Sequence, residues 1–173
     1  MNIVLMGYMG SGKSTIAMEL QKVLSYKCID LDDYIEKKEE RSISDIFNSK
    51  GEIYFRKQET LYLKELLNES TSKIVAVGGG TPCYGSNTDF IINHKRTRSI
   101  YLKTSISELA KRLFPEREKR PLISHLNTMD DLTEFIGKHL FERLAFYDKS
   151  DFTITTDNKT KAQIVEEVVA KLI

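Results

Sequence analysis

The chain has 173 residues, enough for one domain that buries most of its apolar surface. Its 26 lysines and arginines stand against 25 aspartates and glutamates, so no net field singles out nucleic acid or an anionic membrane as its partner. Apolar residues make up 40% of the chain, and no window approaches the roughly 18 consecutive apolar residues of a membrane span. Cys28 and Cys83 are too few and too far apart for a disulfide framework or a zinc site. The opening MNIVLM has no basic leader and runs straight into glycine, so export is not indicated and a reducing cytoplasm is expected.

In chain order, Asn2 to Met6 reads as a short strand ending in glycine, and Ile16, Leu20, Val23 and Leu24 then recur at helical spacing. Tyr26 to Leu31 is a brief second strand, and Asp32 to Glu40 reads as helix. Ser42-Ile43-Ser44-Asp45 is a helix start signal, and a longer helix is predicted from about Glu52 to Leu67, with Phe55, Leu63 and Leu66 inward. Lys73 to Val77 is a buried-type strand that stops at Gly78-Gly79-Gly80; Thr97 to Leu102 is another, followed by a helix from about Ser105 to Leu113. Residues 114–127 hold Pro115 and Pro121 among dense charges and supply no apolar stripe, which predicts an exposed, mobile loop suited to be a lid. Asp131 to Tyr147 reads as helix, Phe152 to Thr155 as the last strand, and Lys161 to Leu172 as a closing helix. Such alternation predicts an α/β fold, a parallel sheet with helices on both faces and a ligand beyond the carboxyl ends of the strands.

Gly7-Tyr8-Met9-Gly10-Ser11-Gly12-Lys13-Ser14 matches GxxxxGK[ST] between a predicted strand and a predicted helix, the context its mechanism needs. Glycines let the backbone amides of Gly10, Ser11 and Gly12 turn inward around a β-phosphate, and the helix adds its positive end. Lys13 would reach the β and γ oxygens, Ser14 would ligate Mg²⁺, and Thr15 would extend the cradle toward the α-phosphate. Tyr8 and Met9 read as packing residues.

A regulatory GTPase is disfavoured, because the chain has no DxxG and its nearest approach to NKxD, Asn158-Lys159-Thr160-Lys161, ends in the wrong charge for guanine. Glycines at the end of strand three, where many ATPases carry a magnesium-holding acid, disfavour a motor. A nucleoside monophosphate kinase shares the size and the lid, but the chain has no Asp-Gly pair to support its usual lid-proximal motif. A gluconate kinase-like enzyme stays open.

Asp30 and Asp32 lie two residues apart at a predicted strand end, which predicts that both carboxylates point to one side, toward the phosphate loop. Asp30 could hold the waters of the magnesium, and Asp32 could orient an attacking hydroxyl and take its proton. With the phosphate loop, the segments IDLDDYIE, SISDIFNSKGEIYFRKQE, GGGT, EKRPLI and ERLAFYDKSD follow one another at spacings that resemble the shikimate kinases from Ile3 to about Ile173.

The resemblance implies a single domain over 1–173 with the three-layer αβα P-loop kinase fold, a helical acceptor-binding region at 31–60 and a lid at 112–126. It implies that ATP with Mg²⁺ phosphorylates the 3-hydroxyl of shikimate, on the route to the aromatic amino acids, in a monomer that engages neither nucleic acid nor membrane. Carried over by residue, Asp32 would contact ring hydroxyls, Arg56 and Arg143 would clamp the substrate carboxylate, and Gly79 and Gly80 would approach the ring through backbone. Phe47 and Phe55 would wall the pocket. Arg120 looks like the arginine that folds over the transferring phosphoryl group, and Arg112 like the residue stacked on adenine. Paired guanidinium groups suit a carboxylate because each can grip it in bidentate fashion. Asn158 and Lys159 stay outside this set, since a lysine cannot reproduce a planar stack or fork. Cys28, Cys83, His94, His125 and His139 share no metal-ligand spacing and read as packing or surface residues.

Overall fold

The computed structural model describes residues 1–173, and all five strands pair in parallel in the order β2-β3-β1-β4-β5. The strands are β1 (Asn2–Met6), β2 (Lys27–Asp30), β3 (Lys73–Ala76), β4 (Thr97–Lys103) and β5 (Phe152–Thr155). Seven helices connect and cover them: α1 (Lys13–Leu24), α2 (Leu31–Glu39), α3 (Ile43–Asn68), α4 (Asn87–Asn93), α5 (Ile106–Leu113), α6 (Met129–Tyr147) and α7 (Lys161–Leu172). None is long and apolar enough to cross a membrane.

Strand alternation builds two cores. Ile3 and Leu5 of β1 face α1 and α7, joining Leu20, Ile164 and Val168, while Val4 and Met6 face the other way, toward α2 to α6. All four of these β1 side chains are fully buried, as a central strand covered on both faces requires. The expected three layers are therefore present. Because β1 lies between β3 and β4, the loop after β1 opens at the sheet's switch point, beyond the carboxyl ends of the strands.

The helical region after β2 is braced by polar contacts. Tyr54 and Tyr62 of α3 both donate to the Glu39 carboxylate near the end of α2, at 2.8 and 2.7 Å. These bonds hold the start of α2, with Asp32, at a set distance from the middle of α3, with Arg56. The longer helix begins earlier than its apolar pattern indicates: Ser42 accepts the amide of Asp45 as an N-cap, and helix runs from Ile43. It breaks at Gly51 (φ 83°, ψ 169°), a conformation costly for any residue with a Cβ, and resumes at Glu52.

The structure departs from the expected pattern in three further places. β2 ends at Asp30 and α2 begins at Leu31, so Asp32 lies in a helical turn and strand alternation does not aim the two carboxylates. Instead Asp30 is the N-cap, its Oδ1 accepting the amide of Asp32 at 3.0 Å. The segment after α5 is not simply an irregular exposed loop: Phe114–Lys119 forms a 3-10 helix, and Ile123 is fully buried among core side chains, pinning the far end of the segment. Residues 81–93 contain a 3-10 turn (Thr81–Cys83) and α4, which the apolar pattern did not indicate because their buried side chains include the polar Thr81, Asn87 and Thr88.

Candidate active site

The phosphate loop is an anion nest with its positive groups in place. Gly12 caps α1 with no side-chain hydrogen bond, so the first-turn amides are left for a ligand. At Gly7 the loop packs too tightly for a side chain, since a Cβ would fall 2.7 Å from Ser11 Oγ and 2.8 Å from the Leu102 carbonyl. The Lys13 ammonium donates to the carbonyls of Gly7 and Tyr8 at 2.9 and 3.0 Å. Burial pulls its pKa down to about 8, with Asp32 and Asp30 opposing the shift and Arg120 adding to it. A phosphate would replace lost hydration and favour the charged form.

The loop floors a cleft of about 750 Å³, which also takes in Asp30, Asp32, Gly78, Gly79, Arg112 and Arg120. Ser14 and Thr15 line it as well. Ser14 Oγ donates to Asp30 Oδ2 at 2.7 Å. These two hard oxygens at the nest's mouth fit Mg²⁺, which binds few protein ligands and keeps several waters. No group of three or more His, Cys, Asp or Glu side chains could hold a metal by itself, so any cation here would also need nucleotide oxygens and water.

On the lid side, Arg112 donates from Nε to Glu108 at 2.9 Å and from Nη1 to the Gly10 carbonyl at 3.2 Å, which fixes its guanidinium plane at the cleft wall. Arg120 donates from Nη2 to Glu116 at 3.1 Å, but its Nε is buried without a partner. A buried, unpartnered guanidinium donor beside an anion nest is suited to a phosphate oxygen. Lys159, which the sequence left aside, and Lys161 line the cleft too; Lys159 is paired with Glu167 at 2.7 Å.

Asp32 joins this cleft to the acceptor side. Its pKa is pushed up to about 6 by burial first and then by Asp30 and Glu59, while Lys13 and Arg56 pull it back. One carboxyl group thus feels both the phosphate-loop lysine and an arginine from α3. Arg56 and Gly80 do not line the cleft but adjoin each other beyond it: a Cβ on Gly80 would stand 2.7 Å from Arg56 Nη2, so a side chain there would push the guanidinium aside. Arg143 lies on α6, its Nη1 donating to the His139 carbonyl at 3.0 Å. The charges of Arg56 and Arg143 are both felt at Cys83: burial raises that thiol's pKa, and the two arginines, Arg143 more strongly, oppose the rise. Phe47 and Phe55 stack at 4.7 Å between ring centres, with Phe55 in the core.

Three polar supports escaped the sequence reading. Glu59 is almost fully buried and accepts from Arg56 Nη1 at 2.9 Å and from the Thr81 hydroxyl. It lies three residues after Arg56, a visible helical spacing, but most such pairs are solvated and give no sign of a site. Tyr147 donates to the Gly79 carbonyl at 2.6 Å and so anchors the glycine triplet to α6. His139 bonds to Tyr8 of the phosphate loop, a pairing across 131 positions that no local pattern reveals.

Comparison with known proteins matches this arrangement to one family. A family model described as shikimate kinase matches residues 9–173. The shikimate kinase of Flavobacterium johnsoniae is 44% identical over 167 residues, covering 96% of each chain. Among solved structures, shikimate kinase from Bacteroides thetaiotaomicron superposes with a TM-score of 0.88 at 28% identity, covering 99% of this chain and 97% of its own. The Acinetobacter baumannii shikimate kinase, solved in complex with shikimate, gives 0.82 at 27% identity, covering 99% and 92%. With the family matched over nearly the whole length and the fold shared from end to end, this chain belongs to the shikimate kinase family.

Proposed function

We propose that the protein transfers the γ-phosphoryl group of ATP to the 3-hydroxyl of shikimate, giving shikimate 3-phosphate and ADP on the route to the aromatic amino acids. The observation that carries this reading is the place of Asp32, within electrostatic reach of both Lys13 and Arg56. A hydroxyl held by this carboxylate has a phosphate nest on one side and a guanidinium group on the other.

In the reaction the 3-hydroxyl oxygen forms a bond to γ-phosphorus as the bond from γ-phosphorus to the β-bridging oxygen breaks. Asp32 orients the hydroxyl and accepts its proton, a task suited to a carboxylate whose pKa of about 6 keeps it ionised at neutral pH. Gly10, Ser11, Gly12, Ser14 and Thr15 hold the phosphates, Arg112 lies against adenine, and Lys13 and Arg120 neutralise charge on the transferring oxygens. Ser14 and, by way of water, Asp30 would hold Mg²⁺ bound with the nucleotide, which would further neutralise the β and γ oxygens. Arg56 and Arg143 grip the shikimate carboxylate, and Gly79 and Gly80 present backbone to the ring. Residues 31–60 form the acceptor region and 112–126 the lid, which excludes water from the transfer. A single chain supplies all these groups, so no second copy is needed to complete the site for the two small molecules.

ADP release measured across shikimate, quinate, gluconate and nucleoside monophosphates tests the acceptor. Turnover is expected with shikimate, at a kcat/KM at least about a hundredfold above the other acceptors, as the loss of paired polar contacts would set it. A response confined to gluconate or a nucleotide would overturn the assignment.

A further inference from the structure

Helix α6 touches the active site at three points one turn apart: His139, Arg143 and Tyr147, spaced i, i+4 and i+8 on one face. Tyr147 ties the helix to the glycine triplet through its bond to the Gly79 carbonyl at 2.6 Å. At the other end, the Tyr8 hydroxyl and His139 Nδ1 lie 2.8 Å apart, and the two rings meet edge to face at 5.6 Å. Tyr8 is only 2% exposed, so this bond is its hydroxyl's connection to the rest of the fold. On its other side the imidazole packs on Phe135, 5.2 Å between ring centres, which sets its plane. Burial, aided by the neighbouring Arg143 and opposed by Glu142, lowers the pKa of His139 and favours the neutral ring, which can pair with the Tyr8 hydroxyl through Nδ1 in either tautomer.

We propose that His139, through its hydrogen bond to Tyr8, is a positioning residue that sets Arg143 against the phosphate loop. Two bonds flank Arg143 along the helix, one to each glycine-rich segment, and its guanidinium is also held by the carbonyl of His139 itself at 3.0 Å. The backbone of Tyr8 takes part in the nest, its carbonyl accepting from Lys13 at 3.0 Å. The span from the nest to the carboxylate clamp is therefore set by Tyr8, His139 and one turn of helix. Without the bond, α6 would be tied to the glycine-rich segments only through Tyr147, and Arg143 would be free to shift with the near end of the helix. The loss would fall on acceptor binding before it reached the nucleotide.

The inference rests on shikimate being the acceptor, and steady-state kinetics of His139→Leu, Tyr8→Phe, the double variant and His139→Asn test it, each with a thermal melt. Each single change is expected to raise the KM for shikimate about five- to tenfold, the range of one lost hydrogen bond. The KM for ATP in His139→Leu should move much less. The double variant should be no worse than either single one, since both remove the same bond. His139→Asn, whose amide can donate or accept in place of Nδ1, should return to within about twofold of the wild type. A merely structural role would lower the melting temperature and leave the shikimate KM unmoved, and that result, or effects that multiply in the double variant, would overturn the proposal. If His139→Leu does not fold, Tyr8→Phe decides, because it removes one oxygen and keeps the ring. Absent wild-type turnover with shikimate would remove the acceptor reading and this inference together; normal wild-type turnover with unmoved variants would remove the link alone.

Discussion

Arg120→Ala is expected to lower kcat on the order of a thousandfold while the KM for shikimate changes by less than about fivefold. A thousandfold corresponds to about 4 kcal/mol of transition-state stabilisation, more than a surface ion pair supplies. The side chain is placed for such a role. Its charge is felt at Lys13, its Nη2 is held by Glu116 alone, and its buried Nε has no partner within the protein. A group parked this way has donors free for a phosphoryl oxygen, and their value is realised when charge spreads over that group in the transition state. Arg120→Lys should recover only part of the loss, because a point charge on a flexible stem lacks the planar fork. Single-turnover measurement of the chemical step would separate this effect from slow product release, and an unchanged rate would remove Arg120 from catalysis.

Asp32→Asn is expected to reduce kcat roughly a hundred- to ten-thousandfold, the usual range for removing a general base. It should also remove the acidic limb of the pH profile. In the wild type, the carboxylate with its pKa of about 6 must be ionised in the free enzyme, so kcat/KM should fall about tenfold per unit as pH drops below 6. The same shift carries a stability consequence whose sign is fixed. Folding raises this pKa above the unfolded value, so holding the ionised form weakens the native state above pH 6, and the penalty disappears below about pH 4. The asparagine variant should therefore melt higher than the wild type at pH 7 to 8, with the gap closing toward pH 4. A variant that is both slower and more stable is what a site held at the expense of stability would give.

Much of this fold is legible in the chain because its signals are local. β5 and α7 occupy the residues their patterns indicate, Phe152–Thr155 and Lys161–Leu172, and the phosphate loop is read from spacing alone. Ser42, Ser105 and Thr160 cap helices as their types lead one to expect. The misses have a common physical cause, side chains whose partners are distant in sequence. Asn87 and Thr88 are buried because the carbonyls of Thr81 and Pro82 accept from them, so α4 carries polar residues where a pattern search looks for apolar ones. Ile123 is a single apolar anchor in a charged segment and forms no period. Asp30 and Asp32 lie near each other through a capping bond that replaces the strand alternation their spacing suggests. In the candidate site, Lys13, Asp32, Arg112 and Arg120 meet at one cleft as expected, whereas the Arg56 and Arg143 compartment depends on Glu59, Thr81 and Tyr147 for its shape.

The most direct measurement is phosphorus and proton NMR of the product formed from ATP and shikimate with Mg²⁺. One phosphomonoester on the 3-hydroxyl is expected, formed in equal amount with ADP and at least about a hundredfold more slowly when Asp32 is replaced by asparagine. Inorganic phosphate appearing in place of the ester, or an ester on another ring hydroxyl, would contradict transfer to the 3-hydroxyl.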